Sequence, residues 1–153
     1  NVMGRLFMDA LDDPFSAVDN ALEGVALGLN VKAVVVDVHA EASSEKQALG
    51  CHLDGRASLV VGTHTHVPTA DARILPNGTG FMTDAGMCGD YDSIIGMRKD
   101  IALPRLRTKL PGERHKPAEG EGTLCGVMVE THPLTGLAVQ VTPIRAGGVL
   151  GSI

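Results

Sequence analysis

Apolar positions along this chain follow two periods. In "LDDPFSAVDNALEGV", Phe15, Val18, Leu22 and Val25 recur at helical spacing and predict one buried stripe. Asp13 stands where a cap is needed, and Pro14 suits the first helical position. In "KAVVVDVHA" the pattern changes to a β-branched run, Val34-Val35-Val36, which predicts a strand buried on both faces. That strand ends in Asp37 and His39. "SSEKQALGCHLDG" reads as a second helix, with Ser44 and Gln47 at capping-box spacing and Asp54-Gly55 closing it. "RASLVVGTHTHV" is a second buried strand, running into His64 and His66. Strand, helix, strand in this order predicts a βαβ unit with parallel strands.

Beyond Val67 the texture is different. "ARILPNGTGFMTDAG" predicts a hairpin turning at Pro76-Asn77-Gly78. Met87 to Glu121 reads as loop, with "KLPGERHKPAEGEG" its most exposed part. "TLCGVMVETHPLTGLAVQVTPIRA" predicts two strands around a turn at His132 to Gly136. Asn1 to Met3 reads as the end of a strand already under way, so a fragment is expected.

Composition narrows the function classes. The 153 residues are 44% hydrophobic and 20% charged, which suits a folded domain and not a disordered chain. A net charge of −5 argues against binding to duplex nucleic acid, which asks for a basic face. It leaves room for a small phosphorylated ligand held through metal ions. No apolar run nears the roughly 20 residues of a membrane span, and no signal peptide is visible at the start. Cys51, Cys88 and Cys125 are odd in number and scattered. They predict neither a disulfide framework nor a zinc ribbon, and a reducing cytoplasm is expected.

Candidate chemistry gathers at the strand ends. In parallel α/β sheets, ligands collect at the carboxyl edge of the strands. His39, His64 and His66 are therefore expected to meet there as metal ligands, imidazole being a common ligand near neutral pH. A lone HxH pair is weak by itself, since residues two apart in a strand share a face and that face is often merely solvated. His39 at the end of a neighbouring strand strengthens it. His52, His115 and His132 lie at a helix end, in the charged loop and at a turn, and read as surface residues. Three histidines suit a mononuclear zinc site with an open position. They equally suit the nitrogen share of a two-metal site, which also needs carboxylate oxygen. Asp37, Glu41 and Asp84 are the acidic candidates, and none has a spacing that marks it as a bridge between ions.

The stretch "DVHAEASSEKQALGCHLDGRASLVVGTHTHVPTADARILPNGTGFMTDAGMCGDYDSIIGM", from Asp37 to Met97, resembles the YmdB-like metallophosphoesterases of the calcineurin-like superfamily. "GRLFMDALDDPF" and the later strands are similar to the same family. The resemblance implies an α/β fold, the αββα metallophosphoesterase sandwich, here incomplete, with residues 1–153 forming the C-terminal portion of one domain. It implies a metal-dependent phosphodiesterase that opens 2′,3′-cyclic nucleotides to 3′-nucleotides by attack of a metal-bound hydroxide. Two divalent ions are implied, iron, manganese or magnesium. His39 and His64 match the ligands of one, and His66 matches a ligand of the other. Asp37, Glu41, Thr65 and Asp84 then fall behind the ligands or on the substrate rim.

The family's first aspartate, bridging carboxylate, asparagine ligand and catalytic histidine have no match here. The chain alone is thus expected to be inactive. The expected partner is a cyclic nucleotide or another small phosphodiester, with no membrane and no duplex nucleic acid; self-association is left open. A CapA-like polyglutamate-synthesis relative and a non-catalytic metal-binding module are the rival readings. The "HAE" and "SEK" pieces argue against the former.

Overall fold

The computed structural model describes residues 1–151. The two valine-rich segments become neighbouring parallel strands, β2 (Val35–His39) and β3 (Leu59–Thr63), in register from Val35 opposite Leu59 to His39 opposite Thr63. A two-residue strand, β1 (Val2–Met3), pairs parallel with the end of β2 and sets Met3 opposite His39. The predicted hairpin forms as β4 (Arg73–Ile74) and β5 (Gly80–Met82), turning through Gly78 at a φ of 99°. β5 lies parallel to β3, so the five-stranded sheet runs β1-β2-β3-β5-β4.

Helices cover one face of this sheet. α1 (Pro14–Ala21) begins as expected, with the Asp13 carboxylate accepting from the Ser16 amide at 3.0 Å and Pro14 in the first turn. α2 (Ser43–His52) begins earlier than the capping-box reading expected. Ala42 is its cap residue and Ser44 lies inside the first turn. The acidic residue of that turn, Glu45, is drawn away from the helix end. It accepts instead from the backbone amides of Arg5 and Leu6, just past β1. Val18, Val36, Val38, Leu49, Leu53, Val60 and Phe81 form the core between helices and sheet.

β2 departs from its expected two-sided burial. Val36 and Val38 are buried, whereas Val35 is 58% exposed. Side chains alternate along a strand, so Val35, Asp37 and His39 share the open face. β3 is buried along its whole apolar length.

A second sheet accounts for the difference. β6 (Gly89–Asp90), β7 (Gly122–Thr131) and β8 (Ala138–Ala146) are antiparallel, β7 and β8 being the long hairpin expected near the C-terminus. Val127 and Val129 of β7 pack on Leu59, Val61 and Met82. The second sheet therefore covers β3 and β5. The result is a mixed α/β fold with a helix layer and two stacked sheets. No helix among the described residues is long and apolar enough to cross a membrane.

The segment Met87–Glu121 is not all loop. It holds β6 and a helix, α3 (Lys99–Thr108). Pro104 lies within α3 and cannot donate to the carbonyl four residues back, so local propensity hides the helix. Burial of Ile101 and Ala102 supports it instead. The stretch after it, to Glu121, is exposed as expected.

Candidate metal centre

β2 and β3 are parallel and in register, so their carboxyl ends deliver Asp37, His39, Thr63 and His64 to one place. Thr63 donates its hydroxyl proton to Asp37 Oδ1 at 2.8 Å. The Thr63 hydroxyl oxygen is left to accept, and His39 Nδ1 stands 3.0 Å from it. His39 thus carries its proton on Nδ1, and its Nε2 is bare. His64 Nε2 lies 3.1 Å from Glu41 Oε2, an ion-pair contact at the partly exposed side of the ring. A neutral imidazole has one donor and one acceptor nitrogen.

His39 Nε2 and His64 Nδ1 face each other at 3.1 Å. With the His39 proton on Nδ1, His64 Nδ1–H donates to His39 Nε2, and an ion taken up between the rings would replace that proton.

The spacing fits a metal. Two nitrogens bound at about 2.0–2.1 Å to one ion stand roughly 2.8–3.4 Å apart over octahedral to tetrahedral angles. Each ring's other nitrogen already has an oxygen partner, the usual arrangement behind a ligating histidine.

His66 makes its contacts elsewhere. Its Nδ1 donates to the Ile95 carbonyl at 2.8 Å, so its Nε2 is the bare nitrogen. The Tyr91 hydroxyl donates to the His66 carbonyl at 3.0 Å. Burial, then the neighbouring Cys125 thiol, pushes the Tyr91 hydroxyl up to about 12, so it stays a neutral donor. Among the described residues no group of three or more His, Cys, Asp or Glu side chains is gathered to hold an ion. A surface hollow of about 430 Å³ lined by Asp90, Asp92, Arg98 and Glu119 includes none of these histidines.

The turn carrying the pair is strained. His64 has a φ of 106° and His66 a φ of 66°, conformations that cost on the order of 1–3 kcal/mol each in a non-glycine residue. Thr65, between them, donates its amide to Asp84 Oδ2 at 3.0 Å. Asp84 is fully buried; its Oδ1 accepts from the Gly86 amide at 2.9 Å, and its Oδ2 also meets Lys46 Nζ at 2.8 Å. Burial alone would raise the Asp84 carboxyl. The Lys46 ammonium and the amides of Gly86 and Thr65 outweigh it and hold the group below the usual carboxylate range.

The acidic candidates thus take distinct positions. Asp37 stands behind His39 through Thr63, Glu41 touches His64, and Asp84 lies behind the turn at Thr65. Four participants were not among the candidates drawn from the residue pattern: Lys46, Thr63, Tyr91 and Ile95. Lys46 was the most findable, since it shares the buried face of α2 with Leu49, Gly50 and Leu53 at helical spacing. His115 and His132 are exposed. His52 is exposed as well and pairs with Asp19 at 2.9 Å.

The chain matches the family model described as YmdB-like protein over residues 1–144. It is 49% identical over 144 residues to a 2′,3′-cyclic-nucleotide 2′-phosphodiesterase of Bacillus subtilis (strain 168), covering 94% of this chain and 53% of that one. A solved structure of a hypothetical protein from Thermus thermophilus superposes with a TM-score of 0.87 at 46% identity, over 97% of this chain and 56% of the other. A solved structure of a novel phosphatase of Mycoplasma pneumoniae gives a TM-score of 0.77 at 34% identity, over 88% and 47%. The chain spans about half the length of the curated relatives it matches.

Proposed function

This chain belongs to the YmdB-like family, and from that premise we propose that it is the histidine-bearing, C-terminal portion of a phosphodiesterase domain acting on 2′,3′-cyclic nucleotides and releasing 3′-nucleotides. One observation carries the reading: His39 Nε2 and His64 Nδ1 stand opposed at 3.1 Å at the carboxyl ends of adjacent parallel strands, with an oxygen beside the other nitrogen of each ring. The name of the Bacillus subtilis relative supplies the substrate class.

His39 and His64 would hold one divalent ion, and His66 Nε2 is offered to a second. Two such ions, when bound, supply Lewis acidity toward phosphate oxygens and an activated water. The chain's own residues do the preparatory work. Asp37, through Thr63, keeps the His39 proton on Nδ1. The Ile95 carbonyl keeps that of His66 on Nδ1. Glu41 Oε2, 3.1 Å from His64 Nε2, would accept a proton there when His64 Nδ1 takes an ion.

Variants of the full-length protein provide the test. His39→Ala and His64→Ala are expected to lose the same ion, and His66→Ala the other, measured as metal per chain. All three should cut 2′,3′-cyclic AMP hydrolysis by at least 100-fold. His115→Ala, in the exposed loop, should change neither. Two metals and near-normal rates in both His64→Ala and His66→Ala would sink the proposal.

A further inference from the structure

We propose that Lys46 and Asp84 are positioning residues, a buried pair that anchors the Thr65 amide and so sets where His64 and His66 point. This deepens the metallophosphoesterase reading and rests on it for the role of the histidines.

Both side chains are almost wholly removed from water, at 0% and 1% exposure, and their charged atoms are 2.8 Å apart. Taking two charges out of water is costly, and such a pair is weak evidence for stability by itself. Here the carboxylate has further work. Oδ2 receives the Thr65 amide and Oδ1 the Gly86 amide, so one side chain joins the turn after β3 to the segment after β5. Ala85 adds a backbone bond from its amide to the Gly62 carbonyl at 2.9 Å.

The ammonium arrives from the other side of the sheet. Lys46 rises from α2, and its stem passes Gly62, where an added Cβ would lie 2.6 Å from Lys46 Cδ. α2, β3 and the end of β5 thus meet at a single ion pair. Thr65 is the residue between two histidines in positive-φ conformations. Such conformations persist only where the surroundings over-determine them. The side-chain anchor of that amide is Asp84, and the partner that keeps Asp84 charged and oriented is Lys46.

The decisive variant is the double substitution Lys46→Met with Asp84→Leu in the full-length protein. Removing both charges together leaves no buried ion unpaired, so the fold is expected to survive. The acceptor for Thr65 is nonetheless gone. In metal-free protein, amide exchange over residues 62–67 should quicken at least tenfold while the rest of β2 and β3 keeps its protection. Manganese affinity should fall by about 10- to 100-fold, the range found when groups behind metal ligands are removed. The visible spectrum of the cobalt-loaded protein should change as the ligand geometry loosens.

A folded double variant with wild-type exchange and affinity overturns the proposal. If the double variant does not fold, Asp84→Asn, which keeps one acceptor oxygen, should show the same local exchange and a smaller loss of affinity; no change in either overturns it. A wild-type protein that binds no divalent ion would defeat the phosphodiesterase reading, and the exchange measurement would still decide the anchor.

Discussion

Which nitrogen His39 turns toward His64 is decided by its neighbours. The Thr63 hydroxyl donates to Asp37 and accepts from His39 Nδ1–H, so Nε2 is the nitrogen that faces His64. The residue that most clearly repeats this economy away from the histidines is Asp71. It accepts from the Thr83 hydroxyl at 2.6 Å, the Thr69 hydroxyl at 2.7 Å and the Thr83 amide at 3.1 Å, and ties the loop after His66 to the end of β5. Burial pushes its carboxyl up. The hydroxyls of Thr83 and Thr69, the Thr83 amide and Arg73 more than reverse this and bring it from 3.8 to about 2. A depressed carboxyl contributes stability that is present above its unfolded value and lost as pH falls through the folded one. Wild-type stability should therefore decline between about pH 4 and pH 2 in part through Asp71. Asp71→Asn should be less stable at neutral pH and show a flatter decline over that window, read as urea midpoints against pH. Parallel curves for the two proteins would refute the assignment.

Among the elements, the approach of β5 to β3 sets the tightest tolerance. A Cβ at Gly62 would lie 1.8 Å from the Thr83 carbonyl oxygen, a backbone atom that cannot swing aside. Gly62→Ala should destabilise the fold by about 1–3 kcal/mol, the usual cost of overpacking, and more if β5 must separate from β3. Because Gly62 precedes the histidine turn, the metal affinity of the variant should fall too. Thermal unfolding and manganese titration of the same sample test both, and an unshifted midpoint would mean that β3 and β5 part easily.

The element-level readings divide along the same line. α1, β2, β3 and the two hairpins were visible because each has a period or turn residues of its own. α3 was not, since Pro104 and the charges around it argue locally for loop. The capping box at Ser44 failed for a related reason: Glu45 is claimed by the amides of Arg5 and Leu6, a partner about forty residues away in the chain.

At the scale of the whole molecule, the parallel sheet turns distant segments into one edge. Gly4 donates to the His39 carbonyl at 3.0 Å, and Ala40 to the Thr63 carbonyl at 3.4 Å, so β1, β2 and β3 end together beside the histidines. Yet the described residues gather no set of three ligands. Expressed as these 153 residues, the chain is therefore expected to bind manganese much more weakly than the full-length protein. It should also show no measurable 2′,3′-cyclic AMP hydrolysis. Equilibrium dialysis and a product assay on the two proteins side by side check this. Chelator-sensitive turnover by the short chain would mean that it supplies its own carboxylate ligands, with Asp37, Glu41 and Asp84 the first to test.

By itself the sequence determined the strands that end in histidine, the βαβ order, the hairpin at Pro76-Asn77-Gly78 and the resemblance carried by "HAE", "SEK", "THTH" and "YDSIIGM". All of these are properties of short segments: the period of apolar residues, turn chemistry and motif order. Only the tertiary structure decided that Val35 lies open while β3 is covered, and that Asp37 reaches His39 through Thr63. It alone turned Lys46 inward onto Asp84 and the Thr65 amide. Those outcomes depend on the register of β2 against β3, on the stacking of a second sheet and on the closeness of β5. Each arises from contacts between segments far apart in the chain, and no local pattern encodes which nitrogen, carboxylate or amide will meet across them.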